Sequence, residues 1–245
     1  MYELRIVPFK PALILNGMKK NLIITDLHIG LENVFLSNHK HYIKTINEMI
    51  ADLENILDAT KPNSLILLGD IKSSIYKVPM VEQDDIAFFF EKIKKKTNVI
   101  VVPGNHDGNI QNSLPSDVTI TSSMGLIMDK VLLTHGHVRP SNKLNIDKII
   151  MGHIHPAFFS YNSILNGMPV WVSIKTTKDY LFPSLSGGLE ILIMPSFNKY
   201  FRSYSKKNNQ KITSPILKNT KFLSAKIVSL DGTILGDENM INSVI

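Results

Sequence analysis

The apolar positions of this chain fall mostly into short runs rather than long stripes. Residues 13–15, 22–24, 65–68, 99–102, 131–133, 149–151, 170–172 and 189–193 are each a few residues long and rich in Leu, Ile and Val, a length and content that predict buried strands. Two segments follow a different period. Ile43, Ile46, Ile50, Leu53 and Leu57 recur at spacings of three and four, predicting a helix over about 40–59, and Pro62 follows soon after. Ile86, Phe89, Phe90 and Ile93 do the same over about 81–96, and the basic end of that stretch, Lys92 with Lys94 to Lys96, suits a helix C-terminus.

The first half therefore reads strand–helix–strand–helix–strand, which implies parallel pairing, while the second half is strands separated by Gly and Pro turns. That order predicts an α/β fold, a four-layer α/β/β/α sandwich of two mixed sheets with the helices outside. No repeat or linker divides the chain, so residues 1–245 are expected to form one domain, with a basic, loop-rich segment at about 195–225.

Composition narrows the function. A hydrophobic fraction of 44% with 20% charged residues is ordinary for a soluble globular protein. No apolar run approaches the roughly 18 residues of a membrane span, and the start of the chain (Met1-Tyr2-Glu3-Leu4-Arg5) lacks the order of a secretory signal. A cytoplasmic protein with no membrane partner is the expectation. There is no cysteine, so any metal must be held by imidazole, carboxylate and amide groups. The net charge of +6 is concentrated: no acidic residue lies between Glu190 and Asp231, whereas Lys199, Arg202, Lys206, Lys207, Lys211, Lys218, Lys221 and Lys226 do. An anionic partner near this stretch is one reading, and a set of solvated lysines is the other.

The chemistry is legible where the strands stop. The run at 22–24 leads through Thr25 into Asp26-Leu27-His28, and that at 65–68 into Gly69-Asp70. The run at 99–102 leads into Pro103-Gly104-Asn105-His106-Asp107, that at 131–133 through Thr134 into His135-Gly136-His137, and that at 149–151 into Gly152-His153-Ile154-His155. In open α/β sheets, ligands bind beyond the carboxyl ends of strands, where loops converge. Gly69, Gly104, Gly136 and Gly152 are expected to turn the chain sharply at these points. Each fragment alone is an ordinary turn or loop, but five in this order hold six of the eight histidines.

In that order the fragments resemble the calcineurin-like metallophosphoesterase superfamily, whose pattern is Asp-x-His, Gly-Asp, Gly-Asn-His-Asp, a His after a later strand, and Gly-His-x-His. The resemblance covers residues 26 to 155 by motif. It implies two divalent metal ions, one held by Asp26, His28 and His155 and the other by Asn105, His135 and His153, with Asp70 bridging. His135 takes precedence over His137 because it directly follows its strand. Such a mixed ligand set suits Mn2+, Fe or Zn2+ better than Mg2+ or Ca2+, which prefer all-oxygen shells, and Mn2+ is the first expectation. The implied reaction is in-line attack on phosphorus by a metal-bridging hydroxide. His106 would act as general acid, with Asp107 orienting its ring.

Beyond the shared motifs, Pro11-Ala12-Leu13, Asp26-Leu27-His28-Ile29-Gly30-Leu31-Glu32, Gly69-Asp70-Ile71-Lys72, Gly152-His153-Ile154-His155-Pro156 and Met194-Pro195-Ser196-Phe197-Asn198 look like the SbcD-related phosphoesterases, found mainly in archaea. That likeness implies a phosphodiesterase or nuclease acting on nucleic acid. Because bacterial relatives are associated with DNA ligase and helicase genes, it also implies DNA repair helicase or ligase proteins as partners. Glu32, Lys72, His137, Asn198, Lys199 and Arg202 stand as candidate substrate contacts, and Phe197, Tyr200, Phe201 and Tyr204 interleave with the basic residues as groups able to stack bases. One departure is that Ser73 follows Lys72 where the branch usually has a histidine. The competing functions are hydrolysis of a small nucleotide or other phosphoester, and a non-enzymatic interaction scaffold; a scaffold tends to lose ligands, which this chain retains.

Overall fold

The computed structural model describes residues 2–31, 39–142, 144–200, 214–218 and 220–245, with the side chains of 39–44 excepted. Its first sheet joins β1 (Glu3–Ile6), β2 (Leu13–Asn16), β3 (Lys20–Ile24), β4 (Ser64–Leu68), β5 (Asn98–Val102) and β6 (Thr119–Ile120) in that spatial order. β1, β2 and β3 pair antiparallel, and β3 through β6 pair parallel. The parallel part follows from its crossovers: α1 (His39–Thr60) connects β3 to β4, and α2 (Met80–Ile93) connects β4 to β5. The expected second helix ends three residues early, where Lys94 caps it by donating its N–H to the Phe90 carbonyl.

The second sheet contains β7 (Leu126–Met128), β8 (Val131–Thr134), β9 (Lys148–Met151), β11 (Met168–Thr177), β12 (Gly188–Ile193), β13 (Ser224–Ser229) and β14 (Ile234–Asp237), with β10 (Ala157–Phe158) paired to β11. Its order is β14-β13-β11-β12-β9-β8-β7, and β8, β9 and β12 run parallel to their neighbours within that set.

Alternation along the strands makes the layers. Leu13, Leu15, Ile23, Ile66, Leu68 and Val102 of the first sheet face Val131, Leu133, Ile150, Trp171 and Leu192 of the second, giving a core between the sheets. The opposite face of the first sheet packs on Ile46, Ile50, Leu53 and Leu57 of α1 and on Ile86, Phe89, Phe90 and Ile93 of α2. Among the described residues the outer face of the second sheet is covered by smaller pieces: Leu181 and Phe182, the one-turn α3 (Pro215–Lys218), and Ile241 with Val244. Among these residues the fourth layer is thin. No helix among the described residues is long and apolar enough to cross a membrane.

Candidate metal centre

The parallel strands β3, β4 and β5 in one sheet and β8 and β9 in the other deliver their carboxyl ends to one edge of the sandwich, where five loops meet. Strand pairing carries on into these loops: Asp26 N–H donates to the Gly69 carbonyl at 3.1 Å and His28 N–H to the Asp70 carbonyl at 2.8 Å. Beyond that point the backbone departs from extended geometry. Asp26, His28, Asp70, His153 and His155 all have positive φ, from 42° to 71°. Side-chain-bearing residues adopt this left-handed region uncommonly and at a cost, so five of seven expected ligands sharing it marks a site imposed by its surroundings.

The glycines divide into two kinds. Gly69 and Gly136 have φ of 77° and 107° and do turn the chain. Gly104 and Gly152 instead supply space: a Cβ on Gly104 would collide with the Asp70 carboxylate and backbone N, and one on Gly152 with the Thr25 hydroxyl and the Asp26 carboxylate. Gly104→Ala should therefore keep the fold but displace Asp70, costing about 1–3 kcal/mol. A lowered melting temperature together with lost metal stoichiometry would register this; unchanged metal content would contradict it.

The expected ligands converge into two clusters. One ligand atom each from Asp26, His28, Asp70 and His155 lies within 4.8 Å of the others, and the same holds for Asp70, His135 and His153. Asp70 belongs to both. His155 Nε2 is 2.9 Å from Asp26 Oδ1, and Asp70 Oδ2 is 3.6 Å from His28 Nε2 and 3.3 Å from His135 Nε2. The Asn105 amide oxygen lies 3.2 Å from His135 Nε2, which attaches it to the second cluster. The first sheet contributes Asp26, His28, Asp70 and Asn105, and the second contributes His135, His153 and His155. The Asp26 carboxylate ties the two by accepting the backbone N–H of His153.

This donor set fits divalent cations. The Nε2 atoms of His28 and His155 are only 3.4 Å apart beside two buried carboxylates, an arrangement that a cation between them would satisfy. His135 donates Nδ1–H to the Leu68 carbonyl at 2.7 Å, which leaves Nε2, facing Asp70 and Asn105, as the atom a cation would take.

Without a metal, burial holds His28 down to about 3, and burial together with the neighbouring His135 holds His137 and His153 down to about 4. These three rings are neutral at pH 7. Burial opposes charge on His135 too, but the Asp70 and Asp26 carboxylates outweigh it and raise this ring to about 9. Against the same opposition from burial, His155 and His135 hold Asp26, and His135 and His28 hold Asp70, below the ordinary carboxylate range. The sign for His135 follows. Its proton stabilises the metal-free fold fully below its ordinary 6.5, and that contribution is lost as pH rises through about 9. A cation on Nε2 must displace the proton, so Mn2+ affinity should rise with pH up to about 9, and binding at neutral pH should release about one proton. Calorimetry in buffers of different ionisation enthalpy measures that release; its absence would refute the pairing.

His106 lies beside the clusters, its Nε2 3.9 Å from Asp70 Oδ2 and its backbone N–H donated to Asp70 Oδ1 at 2.9 Å. The expected partnership with Asp107 is not present. Asp107 is buried, and its oxygens accept the backbone N–H groups of Ile71, Lys72 and Gly104, with the carboxylate folded back into its own turn. It is the Ser73 carbonyl, at 2.6 Å, that accepts Nδ1–H of His106.

The candidate substrate contacts fare differently. Lys72 is buried, with Nζ donating to the Ser74 and Ile75 carbonyls. Asn198 is buried too and holds the Asp26–His28 loop by donating to the Leu27 carbonyl at 2.8 Å. Both are anchors of loops rather than open contacts. Lys199 pairs with Glu48 of α1 at 2.6 Å, and Tyr200 donates its hydroxyl to the same carboxylate. Phe197 is buried in the helix-side core and is unavailable for stacking. His137 is half-buried beside His135 and His153, with a buried Nδ1 that has no hydrogen-bond partner. Glu32, Arg202, Phe201, Tyr204 and the lysines at 206, 207 and 211 lie outside the described residues. The motifs did not reveal Thr25, which donates to Asp26 Oδ2, or Ser196, which donates to the Asp26 carbonyl. A hydroxyl directly preceding a ligand was the available signal for Thr25.

A fold of two mixed sheets with a two-cluster metal site at their shared edge defines the class. Residues 20–170 match the calcineurin-like phosphoesterase family, and the chain belongs to it. Among curated proteins, the chain is 27% identical over 114 residues to the DNA polymerase II small subunit of Methanocaldococcus jannaschii; the match covers 39% of this chain and spans only 19% of that relative's length. Among solved structures, the Pseudomonas putida nuclease MPE superposes with a TM-score of 0.55 at 15% identity, covering 94% of this chain and 98% of that one, a likeness of fold. Yfce, a phosphoesterase from E. coli, gives a TM-score of 0.40 at 14% identity over 89% of this chain and 97% of its own.

Proposed function

We propose that this chain is a metal-dependent phosphodiesterase acting on nucleic acid, with Asp26, His28 and His155 holding one ion, Asn105, His135 and His153 the other, and Asp70 shared. The observation that carries the reading is Asp70, whose carboxylate belongs to both ligand clusters and whose Oδ1 also fixes the backbone of His106. Support for the substrate class comes from the names of the neighbours, one a nuclease and one a DNA polymerase subunit, and from the basic stretch after Glu190.

When bound, two divalent ions, with Mn2+ the favoured pair, supply Lewis acidity and an activated water. The protein's own groups do the rest. Asp26 and Asp70 bring the negative charge that gathers cations at this edge. His135 presents Nε2 to a cation, and His106 keeps Nε2 turned towards the site, ready to give a proton to the departing alkoxide oxygen.

The deciding experiment is a metal-screened panel of single-stranded DNA, RNA, cyclic nucleotides and a bis-aryl phosphate, with Asp70→Ala as the blank. Activity surviving in that variant would place the chemistry elsewhere, and turnover of cyclic nucleotides alone would exclude the nucleic-acid reading. That reading also predicts salt-sensitive binding. Neutralising Lys206, Lys207 and Lys211 together should lower the slope of log affinity against log salt for single-stranded DNA by about two. An unchanged slope by fluorescence anisotropy would remove the basic stretch from the interface.

A further inference from the structure

The strap of residues 71–75 carries the carbonyl that orients His106, yet nothing in the motifs explains what holds the strap. Three buried charged side chains hold it, two from other parts of the fold and one of its own. Asp107 accepts the N–H groups of Ile71 and Lys72. Lys72 sends Nζ back to the carbonyls of Ser74 and Ile75. Glu82, in the first turn of α2, is 1% exposed, and its carboxylate accepts from Ser73 N–H at 3.0 Å, Ser74 N–H at 2.9 Å and the Ser74 hydroxyl at 2.6 Å. Ser73 N–H also reaches the Ile29 carbonyl at 3.0 Å, so the strap is pinned to the loop that bears His28 as well.

Gly30 completes the arrangement. It sits at φ 94°, and a Cβ there would lie 2.7 Å from the Glu82 side-chain carbons. The chain thus leaves a slot beside the Asp26–His28 loop that the Glu82 side chain fills. Burying a carboxylate is expensive unless its oxygens are satisfied, and here the partners are the strap's N–H groups.

We propose that Glu82 is a positioning residue for the general acid. By clamping Ser73 and Ser74 it aims the Ser73 carbonyl, which takes Nδ1–H of His106 in the cationic and the neutral ring alike; the proton given to the leaving group is then the second one, on Nε2 of the cation, and the ring left behind is the Nδ1–H tautomer. The inference rests on the role proposed for His106. It also explains why a serine suffices at position 73: the working atom is the backbone carbonyl, not the side chain.

The test pairs a spectroscopic readout with a kinetic one. Nitrogen NMR of the histidine rings at mildly alkaline pH, in the metal-free 245-residue chain, should show His106 as the Nδ1–H tautomer. In Glu82→Ala this signal should move to a mixture of tautomers, while His135, tethered to Leu68, stays unchanged as the internal control. Glu82→Gln, which can keep all three contacts, should restore it, and Ser73→Ala should leave it alone. In metal-loaded protein, Glu82→Ala should lose about a hundredfold on an alkyl-leaving-group phosphodiester and little on a bis-aryl phosphate. Combined with His106→Ala, it should add almost nothing further. If Glu82→Ala does not fold, Glu82→Asp, too short to hold both N–H groups, carries the same expectations. An unaltered His106 tautomer, equal losses on both substrates, or additive losses in the double variant would overturn the proposal. The tautomer result stands apart from activity, so a wild type inactive on every phosphodiester would defeat the functional reading without deciding this one.

Discussion

Asp70→Asn is expected to abolish metal binding and hydrolysis together, with a loss in turnover of at least about a thousandfold. The side chain is nearly isosteric, and its amide oxygen can still accept the His106 N–H that Asp70 Oδ1 accepts at 2.9 Å. What disappears is the charge that both clusters share, 3.3 Å from His135 and 3.6 Å from His28. The fold should persist, because the buried loops keep their backbone hydrogen bonds. Elemental analysis should find the variant metal-poor, and Mn2+ should raise the melting temperature of the wild type but not of the variant. A variant that retained two ions per chain would show that Asp70 does not bridge.

His106→Ala is expected to do something different: leave metal content unchanged and lower activity according to the leaving group. A positioned acid contributes about 10²–10⁴-fold when the departing oxygen is a strong base. An alkyl phosphodiester such as DNA should therefore lose most of its rate, whereas a nitrophenyl diester, whose leaving group needs no proton, should lose little. The ring is not among the close ligand clusters, and its Nδ1–H is committed to the Ser73 carbonyl, so its removal frees no metal-binding atom. Alkyl diester turnover at the wild-type rate would rule His106 out as the acid.

Much of this site was legible because strands end abruptly. An aliphatic run that stops at Asp, Asn or His states both a direction and a ligand, and the order of five such stops is what the folded chain gathers at one edge. The less legible parts are those in which sequence neighbours point apart. Asp107 follows His106 directly, yet its carboxylate accepts Gly104 N–H in its own turn, and no pattern of side chains distinguishes that from contact with the ring. Ser73 acts through its carbonyl, which every residue possesses, and Glu82 reaches it from another element. Lys72 and Asn198 read as exposed polar residues by type; their burial is set by loops that fold over them. The strand β13 is less legible for a related reason: in Ser224–Ser229 the aliphatic residues Ala225, Ile227 and Val228 form no continuous run, and its partners β11 and β14 make it a strand.

Because one sheet supplies Asp26, His28, Asp70 and Asn105 and the other supplies His135, His153 and His155, each cluster draws ligands from both sheets and is not a local property of any loop. How closely its two halves meet is a length measured across the gap between the sheets, and the packing around Trp171, Leu68 and Leu133 is the spacer that sets it. The hydrophobic interior therefore serves the centre as an optical bench serves two mirrors. Its volume determines their alignment, and a change of a methylene or two there would detune a reaction whose every ligand remained in place.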